Sequence, residues 1–113
     1  MHEMALTASL VELIEIESQK QSFSRVLVVR LDIGALGGVD PEAIRFCFEA
    51  SARRGILDSA RLEIRIIPGK GWCVDCAKPV EVFDRFDACP ECGGCNVRAT
   101  GGDDIRIRDL EVE

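Results

Sequence analysis

A chain of 113 residues, 47% hydrophobic and only 5% aromatic, makes one domain, or a small domain with a smaller module, around a mostly aliphatic core. Its 14 basic and 20 acidic residues give a formal charge of −6, which excludes the overall basic footprint of a nucleic-acid binder and suits a soluble, cation-attracting protein. No run of about 18 apolar residues occurs, and MHEMALTASL lacks a basic region followed by an apolar stretch, so neither a membrane span nor a secretory signal is expected.

The chain opens Met1-His2-Glu3, and His2 is its single histidine. A free α-amine, the imidazole and the backbone nitrogens between them can chelate one metal ion in small, unstrained rings. Ni(II) and Cu(II) accept deprotonated amide nitrogen in square-planar geometry. Histidine is too large a second residue for the usual methionine removal, so Met1 is expected to stay. By itself, a histidine at position 2 is usually an exposed residue without a metal.

Residues 4–20 read as an amphipathic helix, with Leu6, Leu10, Leu13 and Ile14 as its apolar stripe and Glu12 and Glu15 pointing away. Glu3 in the first turn and Lys20 in the last suit the helix dipole. Residues 25–33 read as a strand. Leu27, Val29, Leu31 and Ile33 share one face; Val26, Val28, Arg30 and Asp32 share the other, which is covered more fully at its start than its end.

The loop GALGGVDPEA follows. Its glycines open backbone conformations closed to other residues, but no lysine follows to make it a phosphate loop. Asp40-Pro41 is a helix start, with Asp40 as N-cap and Pro41 at the first position. Ile44, Cys47 and Phe48 give this second helix its apolar edge, Cys47 as a small core residue, and Gly55 ends it. Residues 61–67 read as a second strand with Leu62, Ile64 and Ile66 on one face. Strand, helix, strand makes a crossover unit, and Pro68-Gly69 marks a boundary.

Residues 69–102 differ in kind. They hold five of six cysteines, the only tryptophan and six of ten glycines. They show little periodicity, so a metal rather than an apolar core is expected to hold them. Their four basic and five acidic residues make no basic patch. Residues 105–112 resume a strand, but the apolar alternation Ile105, Ile107 slips by one to Leu110, Val112. A β-bulge or bend is expected at Arg108-Asp109.

The cysteines stand as Cys73-x2-Cys76, twelve residues, then Cys89-x2-Cys92. Two such turns can close a four-thiolate tetrahedron, the donor set that suits structural zinc. Pro90 and Gly93 favour a tight knuckle. A redox dithiol and an iron–sulfur cluster are the competing readings; Cys89, Cys92 and Cys95 hint at the second, but the further cysteine it needs is missing. Cys95 competes with Cys92 as ligand; Cys92 sits in the better knuckle, which leaves Cys95 a spare thiol. A closed four-thiolate site offers no open position for catalysis.

Together, MHEMALTASLVELIE, GVDPEAIRFCFE, the paired C-x-x-C module with CPECG and the final LEVE resemble the hydrogenase nickel-incorporation proteins of the HypA/HybF family over the whole length. The resemblance implies a cytoplasmic nickel metallochaperone and no enzyme. It implies Ni(II) carried at the amino terminus by His2, with Glu3 contributing through backbone or side chain and Asp40 approaching. It implies structural Zn(II) on Cys73, Cys76, Cys89 and Cys92. The implied partners are an accessory maturation GTPase and the [NiFe]-hydrogenase large subunit, with some relatives serving urease. No second histidine is available as a nickel ligand. A zinc-ribbon adaptor with an inert amino terminus is the alternative.

The expected architecture is α+β or α/β: a small mixed sheet of about three strands with two helices, plus an inserted zinc-ribbon module. The expected domains are residues 1–68 with 103–113, for nickel, and 69–102, for zinc. The working unit is a monomer or homodimer, and the Pro68-Gly69 and Gly101-Gly102 flanks would permit a swap.

Overall fold

The computed structural model describes residues 2–51 and 55–113, with His2 described by its backbone alone. The Met1 amine and the His2 imidazole therefore lie outside the described residues. Two compact units form: Met1–Asp32, Val39–Arg65 and Arg106–Glu113 make the first, and Ile33–Gly38 with Ile66–Ile105 make the second. No described helix is long and apolar enough to cross a membrane.

The first unit holds helix α1 (His2–Gln21), most of strand β1 (Val26–Gly34), helix α2 (Pro41–Ser51), strand β2 (Arg61–Ile67) and strand β6 (Ile105–Val112). The sheet order is β2-β1-β6. Pairing of Arg30 with Glu63 and of Asp32 with Arg65 runs in step along β1 and β2, so these strands are parallel, as a crossover through α2 requires. Ser24 and Arg25 bond Glu113 while Asp32 meets Arg108, so β6 runs antiparallel to β1. The sheet is mixed.

Helix α1 buries Thr7, Leu10 and Ile14, with Leu6 half-buried. Leu13 is 54% exposed, contrary to the expected stripe. It lies about 100° round the helix from Ile14, beyond the face that packs. Helix α2 buries Ile44, Cys47 and Phe48 as expected. Asp40 caps it: Asp40 Oδ1 accepts the Glu42 amide at 3.0 Å. Gly55, at φ +80°, opens a short 3-10 turn, Gly55–Leu57.

Strand β1 departs from simple alternation. Val26 and Val28 are buried on one face, and Val29, Leu31 and Ile33 are buried on the other, with only Leu27 exposed, so both faces of the strand are covered. The polar residues that follow form a charged row. Arg30 donates to Glu63, Asp109 and Glu111, which hold its guanidinium protonated more firmly than usual. Strand β6 runs unbroken through residue 112, yet adjacent Arg108 and Asp109 both reach this row, Arg108 at Asp32 and Asp109 at Arg30. The expected bulge or bend does not interrupt the strand, which is continuous from Ile105 to Val112.

Asp32 is the other exception, 2% exposed although its face was expected to open at this end. Arg65 covers it with two bonds, 3.0 and 2.8 Å, and holds its carboxyl below the usual range. A lowered carboxyl contributes stability above its unfolded value and loses it as pH falls through the folded one. Asp32→Asn is expected to lower stability at pH 7 by about 1–3 kcal/mol. The gap should close as pH drops below about 3.9. Thermal melts of both proteins at pH 7 and pH 3 check this; an equal gap at both would refute the ion-pair account.

The second unit contains a second three-stranded sheet, order β4-β3-β5, with β3 (Gly69–Cys73), β4 (Lys78–Val82) and β5 (Val97–Gly101), both pairings antiparallel. Its small core is Leu36, Val80 and Val82 with Cys73 and Cys89. The segment Ile33–Gly38, which sequence reading placed with the helices, groups here because Leu36 packs on this core.

Candidate metal centre

Each cysteine pair sits on a tight turn whose amides point at sulfur. Cys73 ends β3, and Cys73 Sγ accepts the Cys76 amide at 3.4 Å. Cys89 Sγ accepts the Glu91 and Cys92 amides at 3.4 and 3.5 Å. These two amide bonds lower the Cys89 thiol to about 7, whereas thiol hydrogen bonding from Cys92 and Cys73 pushes Cys76 up to about 12. Four sulfurs this close cannot all shed protons without a cation among them.

The residue after each pair turns left-handed: Ala77 at φ +53° and Gly93 at φ +74°. Glycine suits that conformation and alanine is strained in it. Ala77→Gly is expected to stabilise the loaded protein by about 0.5–1 kcal/mol, and Gly93→Ala to destabilise it by about 1 kcal/mol. Nothing lies within 4 Å of a Cβ built on Gly93, so strain alone is measured there. Melting curves of the two variants shifting in the same direction would refute this.

All four sulfurs lie within 4.8 Å of one another. Cys73 and Cys92 are 3.7 Å apart, Cys76 and Cys89 3.9 Å. A tetrahedron with metal–sulfur bonds of about 2.3 Å has edges of about 3.8 Å, so the donor set fits a four-coordinate thiolate centre. Cys73 and Cys89 are buried, Cys76 is half-buried and Cys92 faces solvent. Cys95, exposed, is outside this cluster, and Cys47 is buried in α2.

At the amino terminus, the structure brings two of the three remaining candidates together. Glu3 Oε2 accepts the Asp40 backbone amide at 3.2 Å. The starts of α1 and α2 thus meet, and two helix N-termini, each with partial positive charge, share two carboxylates. His2 begins the same helix turn as Glu3.

Compared with known proteins, the chain matches over residues 1–112 the family model described as "Hydrogenase/urease nickel incorporation, metallochaperone, hypA". The chain belongs to the HypA family. It is 57% identical over 113 residues, all of both chains, to "Hydrogenase maturation factor HypA" of Rhodopseudomonas palustris strain TIE-1. It is 50% identical, again over both whole chains, to the factor of that name from Methylocella silvestris. Among solved structures, "Solution structure of HypA protein" superposes with TM-score 0.69 at 25% identity, covering 100% of this chain and 97% of that one. "Solution structure of the Ni metallochaperone HypA from Helicobacter pylori" also gives 0.69, at 24% identity over 97% and 96%, a likeness of fold. This HypA-family fold has two helices, a mixed three-stranded sheet and an antiparallel one beside a four-cysteine cluster consistent with a zinc-ribbon module, as the sequence led one to expect of the helices, the mixed sheet and the cysteine module.

Sequence reading missed two features. The run Phe83-Asp-Arg-Phe-Asp87 forms a turn that displays both phenylalanines, which the alternation of aspartate and aromatic signals. Glu3 engages the second helix start, a contact between residues 37 apart that local spacing does not encode.

Proposed function

We propose that this chain is a nickel metallochaperone that takes Ni(II) at its amino terminus and passes it toward the [NiFe]-hydrogenase large subunit in the cytoplasm. The observation that carries the reading is the contact of Glu3 with Asp40, which sets two carboxylates beside the turn that begins at His2. His2 is the essential nickel ligand, assisted by the α-amine and intervening backbone nitrogens. Glu3 ties the start of α1 to α2 through the Asp40 amide, and Asp40 caps α2 while adding negative charge. A few ligands at a chain end can select a metal and still release it. The same site depends on an accessory GTPase for transfer, and no catalytic step is required of this chain.

Cys73, Cys76, Cys89 and Cys92 would hold Zn(II), supported by the tetrahedral spacing of their sulfurs. Bound there, zinc supplies cohesion to the second unit and neutralises the thiolates, without an open coordination position.

Calorimetric titration of Ni(II) into zinc-loaded protein tests the reading. About one equivalent should bind to the native chain and none to His2→Ala, with zinc content equal in both. Affinity should fall from pH 8 to pH 6, because imidazole, with an ordinary value of about 6.5, must be neutral to bind. Equal binding by native and His2→Ala proteins would leave a zinc-ribbon adaptor as the function.

A further inference from the structure

Three sulfurs of the cluster are sheltered and one is not. Cys73 and Cys89 are buried, Cys76 is half-buried, and Cys92 faces solvent. A dissolved oxidant meets Cys92 first. As a metal ligand Cys92 is a thiolate, the form of sulfur that peroxides attack. Cys92 also opens a third C-x-x-C, Cys92-Gly-Gly-Cys95, which overlaps the second knuckle. Cys95 is exposed and stands outside the four-sulfur cluster.

The backbone holds Cys95 at the edge of that cluster. The Gly94 carbonyl accepts the Cys89 amide at 2.8 Å, and the Asn96 carbonyl accepts the Val74 amide at 3.0 Å. Cys95 is thus pinned between one cysteine turn and the other. The Cys92 sulfur leans over Gly94, where a Cβ would stand 3.4 Å from it. Gly94 adjoins Cys95 and carries no side chain to part the two sulfurs. Gly93, at φ +74° with nothing within 4 Å of an added Cβ, lets the loop turn. The Cys73 sulfur is nearer to Cys92, at 3.7 Å, but it is buried and belongs to the cluster. Of the five cysteines in this unit, Cys95 alone is left uncommitted.

We propose that Cys92 and Cys95 form a peroxide-responsive disulfide that withdraws one ligand from the cluster. The inference rests on the zinc reading above. The Cys92 thiolate attacks a peroxide oxygen and the O–O bond breaks. Cys92 becomes a sulfenic acid, and the departing hydroxide takes a proton from solvent. The Cys95 thiol then attacks the Cys92 sulfur; the S–S bond forms, and the sulfenic hydroxyl leaves as water with the Cys95 proton. The two sulfurs give up two electrons, which reduce one hydrogen peroxide to two waters. Three thiolates remain, and the closed tetrahedron that orders the second unit is opened. A thiol reductant restores both cysteines.

Metal analysis of the full chain, followed by stepwise hydrogen peroxide in the presence of a zinc-indicating pyridylazo dye, tests the proposal. The native protein should release its zinc, and dithiothreitol with added zinc should reload it. Fragment spectra of alkylated tryptic peptides should place the new bond between Cys92 and Cys95, within residues 86–98, which also hold Cys89. Cys95→Ser should load zinc as the native chain does and release it about tenfold more slowly, since a neighbouring thiol acts at high effective concentration. Zinc kept by the native protein under peroxide overturns the proposal, as does a bond from Cys92 to Cys73 or Cys89. Equal release by Cys95→Ser overturns it too, and so does faster release, which would mark Cys95 as a reserve ligand. A chain that holds no zinc before oxidation would fail the zinc reading and the switch with it; each of the other adverse results fails the switch alone.

Discussion

With zinc on the four-cysteine cluster, as proposed above, stripping it with a strong chelator is expected to unfold the second unit while the helices persist. The core cluster of the second unit has three buried aliphatic side chains, Leu36, Val80 and Val82, and its other buried members are the cysteines themselves. So small a core cannot order some forty residues, since each ordered residue costs about 1–2 kcal/mol of backbone entropy. Structural zinc sites of this kind contribute about 10–16 kcal/mol at neutral pH. Two probes separate the units. Trp72, the single tryptophan, stands beside Cys73 in β3 and reports on the second unit. Both helices belong to the first, so ellipticity at the helix band reports on that one. Chelation should redshift and flatten the Trp72 signal and leave most of the helical signal. Cys89→Ser should do the same without chelator, because it removes the sulfur that two amides orient. A Trp72 spectrum unchanged by full zinc removal would mean that the apolar core alone suffices.

The second large effect is expected at a crossing of backbones. A Cβ added at Gly34 would stand 2.3 Å from the Gly102 carbonyl oxygen. One added at Gly102 would stand 2.7 Å from Gly69 Cα, and Gly102 also has φ +81°. These neighbours are main chain, pinned by the bonds Gly34 N to Asp104 O at 2.8 Å and Leu36 N to Gly102 O at 2.9 Å. They cannot rotate aside as a side chain could. Gly102→Ala should therefore cost about 3 kcal/mol or more, combining overpacking with left-handed strain. Gly38→Ala is the control: its φ is +70°, but nothing lies within 4 Å of the added carbon, so strain of about 1 kcal/mol should be the whole effect. Denaturant melts that place the two variants within error of each other would show that the crossing can relax.

Much of this was legible along the chain. Periodicity gave α1, the start of α2 and the strands of the first sheet to within a residue or two. The Asp40-Pro41 signature located the cap of α2. The strands of the second unit were not legible, because residues 69–102 alternate too briefly and owe their order to cross-strand bonds around a metal-type cluster. The misplacement of Leu13 has a similar cause. In α1, Met4, Leu6, Leu13 and Ile16 spread apolar character around the helix, so composition does not choose the buried face; the neighbours that pack on Leu10 and Ile14 do.

The sequence by itself determined the local chemistry: which segments of the first sheet and its helices are strand or helix, where a helix is capped, and that two C-x-x-C turns each aim two sulfurs together. Those properties depend on residues three or four apart, and short-range sterics and hydrogen bonding settle them. Only the tertiary structure decided that the two turns close one tetrahedron, that Glu3 meets the start of α2, that Asp32 is buried under Arg65, and that Ile33–Gly38 joins the cysteine unit. Each of these joins residues far apart in the chain. Their meeting is set by how whole elements pack, which no spacing pattern in one dimension records.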